Sequence, residues 1–275
     1  MPPTAKIILD SVSPSGVRLT TMEVTMHRFV LAEFNTHRAF SRNSASSRAI
    51  PVEKQLKRVI DDPAYPLVWA GEQSGMQGAE LDEFSQALGR ELFKFARSKA
   101  ISEVEAYLKI VPEKENRIHK SLINRLLEPF MWHTVIVSST EWQNFFVQRC
   151  SPLAQPEMRI VAEMMRDALN SSTPELVHGH FWHMPYVSEE ERYDGHSLSF
   201  WKRVSAARCA RVSYLTHDGQ RDPYEDLALY DRLRSAEPPH YSPFEHVATP
   251  RMPNDHPVLG NFQGWHQMRH FQLED

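Results

Sequence analysis

Residues 17–51 read VRLTTMEVTMHRFVLAEFNTHRAFSRNSASSRAIP, and three local patterns follow one another in this stretch. Residues 17–26 alternate in polarity, and only the face with Thr20, Met22, Val24 and Met26 is clearly apolar, which is typical of a strand. Residues 27–34 indicate a short helix. The residues that follow predict a polar loop after the strand and the helix.

This donor-rich loop, residues 34–51, gathers hydrogen-bond donors without any acid, although the chain has a net charge of -4. It contains Arg38, Arg42 and Arg48, together with hydroxyls, amides and His37. Guanidinium forks and hydroxyls suit phosphate oxygens, so the composition favours an anion-binding loop. The alternative is a solvated surface loop, because short motifs also arise by chance.

The composition is that of an ordinary globular protein, with 275 residues, 41% hydrophobic and 24% charged. The mild acidity argues against a nucleic-acid groove that runs over the whole surface. No apolar run reaches the length of a signal peptide or a membrane span, so we expect neither a membrane nor a nucleic-acid partner. Cys150 and Cys209 are too few for a disulfide scaffold, which favours a reduced, cytoplasmic protein.

The rest of the chain predicts more helices than strands in mixed order, hence an α+β fold with a mixed or antiparallel sheet flanked by helices. Leu81, Phe84, Leu88, Leu92 and Phe95, followed by Val104 and Leu108, predict one apolar face of a long helix. The remaining predicted elements are strands at 5–9, 135–138 and 210–215, and helices at 79–110, from Thr140 with a Thr140–Gln143 capping box, at 157–169, and from Asp222 as N-cap.

Two further segments contain single arginines in apolar surroundings. Arg125 lies in NRLLEPFMWHT (124–134), and Arg149 lies in EWQNFFVQRCSPLAQPE (141–157). A desolvated guanidinium needs an anion or a carbonyl partner. The alternative is a structural pair with Glu128 or with Glu157. On a helix, Asn144 and Arg149 point about 140° apart, so they would border different parts of one site.

Three polar clusters lie toward the C-terminus. HYSPFEH (240–246) places His240, Ser242 and Glu245 around a turn, and the tail at 260–271 contains Gln267 and Arg269. The alternative for both is an ordinary turn and an ordinary tail. HGHFWHMP (178–185) has histidines spaced as in some zinc sites, but it holds no acid as a further ligand or base. We therefore expect packed histidines and no metal.

Together these blocks resemble the flavin-dependent thymidylate synthases, whose signature is R-H-R, then a Ser, then N-E-x-S-x-R. THRAFSRNSASSR retains much of it; NRLLEP, NFFVQRCSPLAQPE, AARCARVSY (206–214) and HYSPFEH resemble four other segments of the family. In the family the last two segments come first, so their order here is that of a circular permutation, as in viral members. The resemblance covers about half of the chain.

Four departures from the family pattern affect single residues. The first Arg of R-H-R is Thr36, the Gln before it is Glu33, the Glu of N-E-x-S is Ser44, and a His after the Arg149 block is Leu153. Gln267 and Arg269 supply the same two functional groups as the missing Gln and Arg. We expect the tail to lie beside Glu33 and Thr36, with Arg269 neutralising Glu33.

The resemblance implies reductive methylation of dUMP to dTMP with FAD, and with NADPH and methylenetetrahydrofolate as co-substrates, in a cytoplasmic homotetramer of single domains (residues 1–275). Arg149 would act in catalysis by charge stabilisation. Substrate would bind Ser46, Arg48, Arg125, Arg149, Gln267 and Arg269. FAD would bind His37, Arg38, Asn43, Asn144, His240, Ser242 and Glu245. Cys150 adjoins Arg149, yet a packed role is expected, because free Cys is commonly buried.

Two other functions stay open on the sequence alone. The departures motivate an enzyme that hydroxymethylates dUMP or modifies another pyrimidine nucleotide. The second is a non-catalytic protein that binds nucleotide or nucleic acid through the basic residues at 28–58.

Overall fold

The computed structural model describes residues 3–74, 78–178, 181–214, 222–252, 255 and 260–272. The strands are β1 (Thr4–Val12), β2 (Arg18–His27), β3 (Ser41–Ser44), β4 (Trp132–Ser139), β5 (Glu175–Leu176), β6 (Ala248–Pro250) and β7 (Trp265–Gln267). The α-helices are α1 (Leu31–Asn35), α2 (Val52–Asp61), α3 (Glu83–Ile110), α4 (Lys120–Ile123), α5 (Gln143–Arg149), α6 (Pro156–Ser171), α7 (Glu189–Arg192), α8 (Leu198–Tyr214) and α9 (Pro223–Arg234).

A five-stranded sheet organises the chain in the order β3-β4-β2-β1-β5. All of its neighbours are antiparallel except β1 and β5, which run parallel. Strand β3 is part of the donor-rich loop and pairs with β4 from Ser41 opposite Ser138 to Ser44 opposite Val135. The predicted α+β fold with a mixed sheet is confirmed, and the sheet fixes the middle of the donor-rich loop.

Strand β2 lies at the centre of the sheet and is covered on both faces. Met22, Val24 and Met26 pack against α5 and α6 in one core cluster. On the other face, Leu19 packs against residues near the C-terminus, including Ala248 and Trp265. The predicted apolar face is confirmed, and a second layer of chain covers the polar face as well.

The polar side of β2 is satisfied by a buried network of hydroxyls and histidines. His183 bonds to Thr21 Oγ1 at 2.7 Å and to Ser11 Oγ at 2.8 Å, and His246 Nδ1 bonds to Ser138 Oγ at 2.8 Å. Burial lowers the pKa of both histidines to about 3, so they are neutral at pH 7. The network joins the sheet to the segment that follows residue 240.

The helix predictions have mixed outcomes. Helix α6 confirms the prediction at 157–169, and Asp222 caps α9 by accepting the Tyr224 N–H at 2.9 Å. The capping box at Thr140 is wrong, because Thr140 Oγ1 accepts the Gln263 N–H and the helix begins only at Gln143. The sequence correctly indicates a helix near this position but assigns the wrong cap.

The predicted strand at 210–215 is wrong within the described part of the chain, because residues up to Tyr214 belong to α8; Leu215 lies outside the described residues. Small side chains, among them Ala207 and Ala210, pack this helix into a second core cluster. Arg208 is buried and forms ion pairs with Glu191 and Asp226. Tertiary packing and these ion pairs stabilise the helix in place of a strand.

The long helix predicted at 79–110 is confirmed as α3. The prediction that its apolar residues share one face is wrong. Val104 is buried, whereas Phe84, Leu88, Leu92 and Phe95 are 57–74% exposed. The nine-residue step from Phe95 to Val104 turns a helix through about 180°, so the two groups lie on opposite faces. None of the described helices is both long enough and apolar enough to cross a membrane.

Candidate functional site

A cavity of about 530 Å³ lies where the donor-rich loop meets α4, α8, α9 and the turn at Ser242–Glu245. We call it the basic pocket. Its lining includes five residues that the sequence predicts as ligand-binding, and they come from segments some 200 residues apart: Asn43, Ser46, Arg48, His240 and Ser242. The fold therefore brings together the S-x-R and H-x-S-P-F-E-H segments.

The described lining of the basic pocket holds no acid; besides the five predicted residues it consists of Ser44, Ala49, His119, Lys120, Ala210, Leu233 and Pro243. The side chain of Arg48 is exposed and makes no hydrogen bond or ion pair with the described residues. Its backbone N–H bonds to Ser46 Oγ at 3.2 Å, which holds the two side chains on one turn. Such a set of cations and hydroxyls without a carboxylate suits a phosphate.

Asn43 forms the wall between the loop and the segment around residue 242. Its Nδ2 donates to the Cys209 carbonyl at 3.0 Å, and Ser242 Oγ donates to its Oδ1 at 3.4 Å. The Asn43 amide is thus largely engaged by the protein. It shapes the pocket more than it offers free donors to a ligand.

Two residues of the basic pocket, His119 and Lys120, are missed by the sequence analysis. Lys120 Nζ approaches the Ala49 carbonyl at 3.4 Å, a long contact that leaves the ammonium group able to bind an anion. His119 Nδ1 caps α4 by accepting the Ser121 N–H at 3.3 Å. A usable signal is the acid-free run RIHKSLINRLL at 117–127, a shorter counterpart of the donor-rich loop.

Arg149 lies in a second cluster, at the start of the donor-rich loop. Its Nε donates to His37 Nε2 at 2.9 Å, and its Nη2 donates to Thr36 Oγ1 at 3.0 Å and to the Glu33 carbonyl at 3.3 Å. Burial, followed by the Arg149 charge, lowers the pKa of His37 to about 4. His37 is therefore neutral at pH 7, and Arg149 is the charged member of the His37–Arg149 pair. Glu157 is not its partner, because that carboxylate accepts the Leu67 N–H and the Gln155 amide.

A third cluster surrounds Ser41 and contains the two predicted tail residues. Glu245 accepts the Ser41 hydroxyl at 2.7 Å and pairs with Arg269 Nη1 at 2.6 Å. Gln267 is fully buried and donates to Ser41 Oγ and to the Glu245 carbonyl.

The expected placement of the tail beside Glu33 and Thr36 is wrong. Arg269 neutralises Glu245, and Glu33 Oε2 is buried without a hydrogen-bond partner in the described chain. The tail does return to the donor-rich loop, but to its middle, where Asn261 Nδ2 donates to Ser41 Oγ at 2.9 Å. The reason is that β7 pairs with β6, which holds Gln267 directly behind residue 245.

Three predicted residues lie outside these clusters. The side chain of Arg125 is 64% exposed and stands 3.6 Å from Glu128, so the expectation of a desolvated guanidinium is wrong. Glu128 is also held by Arg28 and by Ser47. Arg38 and Asn144 are exposed and make no side-chain hydrogen bond with the described residues.

Neither cysteine has the environment of a nucleophile. Burial raises the pKa of the Cys150 thiol, and Cys150 packs against the core cluster around Phe145. Cys209 is fully buried and its pKa is raised further. A raised pKa suppresses the thiolate, which agrees with the expected packing role of Cys150.

The structure shows no shared site for the described histidines of the 178–183 segment, His178 and His183. His183 belongs to the buried network under β2, and His180 lies outside the described residues. Within the described ranges, no group of histidines, cysteines and acids has the arrangement of a metal site.

Residues 13–175 match the family described as thymidylate synthase complementing protein. No curated protein matches the chain. Among solved structures, a UMP/dUMP methylase PolB from Streptomyces cacaoi bound with 5-Br UMP has 14% identity and a TM-score of 0.46, covering 61% of this chain and 88% of that chain. Thymidylate Synthase X (ThyX) from Helicobacter pylori with FAD and dUMP has 21% identity and a TM-score of 0.34, covering 55% and 67%.

The sequence match covers more than half of the chain and includes the donor-rich loop, Arg125 and Arg149. Members of the matched family use FAD, with NADPH and methylenetetrahydrofolate as co-substrates. The resemblance drawn from the motifs is thereby confirmed. The chain belongs to the thymidylate synthase complementing protein family, the flavin-dependent thymidylate synthases.

Proposed function

We propose that this enzyme converts dUMP to dTMP, with methylenetetrahydrofolate as the carbon donor and NADPH as the reductant of FAD. The observation that carries the proposal is the basic pocket. Two segments that the family uses for ligands, around Ser46 and Ser242, form one acid-free cavity in a chain whose net charge is -4. An anionic nucleotide is the natural occupant of such a cavity.

The phosphate of dUMP binds Arg48 and the Ser46 hydroxyl, and Lys120 supplies a second cation. The Arg48 guanidinium has no competing carboxylate among the described residues, so it binds a phosphate without breaking an ion pair. Arg125 lies outside the described lining of the pocket and is already close to Glu128, so it contributes less.

The uracil ring needs a positive charge beside its carbonyl oxygens, because the new bond forms at C5 as the ring becomes electron-rich. Arg149 supplies this charge. His37, Thr36 and the Glu33 carbonyl hold three of its hydrogen bonds and fix the guanidinium in one orientation. A preorganised cation needs little rearrangement in the transition state.

When bound and reduced by NADPH, FAD would supply the hydride that completes the methyl group. The residues proposed to hold it are His37, Arg38, Asn43, Asn144, His240, Ser242 and Glu245. The guanidinium, imidazole, amide and hydroxyl groups among them fit a pyrophosphate and the polar edge of a flavin, while Asn43 acts mainly by shaping the pocket. Glu245 contributes as a neutral pair with Arg269, since a bare carboxylate would repel the pyrophosphate.

The complete site requires more than one protomer. Arg149 and His37 do not line the basic pocket that contains Arg48 within the described part of one protomer. A homotetramer of single-domain protomers brings the Arg149 cluster of one chain to the basic pocket of another. The chain then acts as a cytoplasmic enzyme of a bacterium or of a virus-infected cell, in keeping with its two free cysteines.

The order of the segments follows a circular permutation. The family match ends at residue 175, so the AARCARVSY and HYSPFEH segments lie beyond it. In the fold, Ala248, just after HYSPFEH, packs in one cluster with Val17 and Leu19 at the start of β2. This neighbourhood supports the idea that the two segments are joined directly in the unpermuted order.

The first test is the absorbance spectrum of the purified protein after incubation with FAD. A bound flavin spectrum is expected; a protein that binds dUMP but no FAD would instead be a non-catalytic nucleotide-binding protein.

The second test is the mass of the product formed from dUMP, methylenetetrahydrofolate and NADPH. We expect dTMP. A product heavier by one oxygen atom identifies the hydroxymethylating alternative. That alternative stays in view because Thr36, a departure from the family pattern, contacts Arg149 directly.

A further inference from the structure

Helix α3 carries an exposed apolar stripe, defined here as Phe84, Leu88, Leu92 and Phe95. Their side chains are 74%, 57%, 65% and 63% exposed. At about 100° per residue, the four fall within roughly 80° of arc, and they span about 16 Å along the axis. A contiguous row of large apolar side chains on the surface marks an interaction site.

The stripe is not the face by which α3 packs on its own protomer. Phe93 and Val104 point the opposite way and join the core cluster with Leu56 and Phe130. Gly89 lies on that inner face, where an added Cβ would come within 2.5 Å of the Trp69 ring. Helix α3 thus has two apolar faces, and its own chain covers only one of them in the described structure.

We propose that the stripe binds the same stripe of a second copy of this chain, with the two α3 helices antiparallel about a twofold axis near residue 90. The stripe is symmetric about that point, since Phe84 and Phe95 lie at nearly equal distances from it, as do Leu88 and Leu92. A twofold contact requires such a self-complementary surface. Phe84 then packs opposite Phe95, and Leu88 opposite Leu92.

Charge at the end of the stripe selects the antiparallel direction. Lys99 continues the stripe on the same face, where its Nζ lies 5.6 Å from the centre of the Phe95 ring. In the antiparallel pair it lies level with the partner's first helical turn, where the exposed Asp82 and Glu83 flank the stripe on its two sides. In a parallel pair Lys99 would meet its own copy, which is a like-charge contact.

The area is sufficient for such a contact. Four large side chains, each about two thirds exposed, offer on the order of 500 Å² per protomer, or about 1,000 Å² per pair, which reaches the lower limit for a specific interface. This contact is independent of the proposed reaction. It would be one of the interfaces of the proposed homotetramer.

The first experiment compares molar masses in solution for three proteins. The Leu88→Glu/Leu92→Glu variant should be a smaller species than the wild type while keeping its circular dichroism spectrum. The control is Tyr193→Glu, because Tyr193 is 72% exposed but lies outside α3; its mass should equal that of the wild type. If the Leu88→Glu/Leu92→Glu variant has the molar mass of the wild type, the stripe is not an interface, but the proposed tetramer is not contradicted. A monomeric wild type overturns both, but neither result touches the FAD and product assays.

The second experiment fixes the direction by disulfide formation in a Cys150→Ser background. Leu88→Cys and Leu92→Cys proteins, carrying tags of different size, are mixed and oxidised. The mixed disulfide should predominate if the helices are antiparallel. Cross-links that form only within each protein, between equal positions, would show parallel helices and overturn the proposed pairing.

Discussion

Binding of dUMP in the basic pocket is tested most directly by the Arg48→Ala variant. Arg48 makes no side-chain bond with the described residues, so its removal leaves no buried group unpaired and does not destabilise the fold. The loss appears only when a ligand carries a phosphate. We therefore expect weaker binding of dUMP and unchanged binding of deoxyuridine.

The size of the effect follows from the exposure of Arg48. A hydrogen bond to a charged group is worth about 1.5–3 kcal/mol, and an exposed side chain falls at the lower end because water screens the charge. A loss of about 1.5 kcal/mol raises the Kd for dUMP roughly tenfold. Arg48→Lys retains the charge without the fork, so its Kd should lie between those of the wild type and of Arg48→Ala.

Calorimetric titration with dUMP and with deoxyuridine measures the effect directly. The matched control is Arg232→Ala, which removes an exposed arginine of α9 that does not line the described pocket. Equal losses for both ligands, or a lowered Tm, would show that Arg48 acts through the fold. An unchanged Kd for dUMP would show that its phosphate does not bind in the basic pocket.

Lys120→Met should also weaken the binding of dUMP relative to that of deoxyuridine. The effect should be smaller than for Arg48→Ala because Lys120 is a point charge. If the ratio of the two Kd values equals that of the wild type, Lys120 does not bind the phosphate. Arg149→Ala should lower kcat about a hundredfold or more at unchanged molar mass, since it removes the cation that His37 and Thr36 orient; near-normal turnover excludes it from the mechanism. His183 and His246 have pKa values near 3 when folded and about 6.5 when unfolded, so the unfolded chain binds more protons as the pH falls below about 6.5. Urea unfolding at pH 5 should thus give a lower stability than at pH 7, with about 2 kcal/mol from each of these two histidines and a further loss from His133 and His37, whose pKa values are also lowered. Equal stabilities at the two pH values would show that His183 and His246 are not buried and neutral.

Local pattern was enough to predict several elements. The alternation at 17–26, the three- and four-residue steps at 157–169 and the Asp-Pro start at 222 each specify one element, because strand period, helix period and capping act over a few residues. The acid-free donor-rich loop likewise pointed to an anion, since its composition is local. The family motifs added Arg149, Asn43, His240 and Ser242 as proposed ligand residues, a role that stays a prediction.

Local pattern failed where distant chain decided the outcome. The 210–215 segment is helical up to Tyr214 because the ion pairs of Arg208 and the packing of Ala207 stabilise α8. Arg125 is exposed although its neighbours in sequence are apolar, because burial depends on which face the fold covers.

The sequence by itself determined the class of fold, the family, and the residue types proposed to bind an anion, since these depend on short-range periodicity and on motif residues. Only the tertiary structure decided which of those residues meet. It joined Ser46 and Arg48 to His240, added His119 and Lys120, and separated them from Arg149. It also placed Arg269 on Glu245 and left the α3 stripe in solvent. The physical reason is that strand pairing and core packing bring together residues some 200 positions apart, and no local pattern encodes which face another segment will cover.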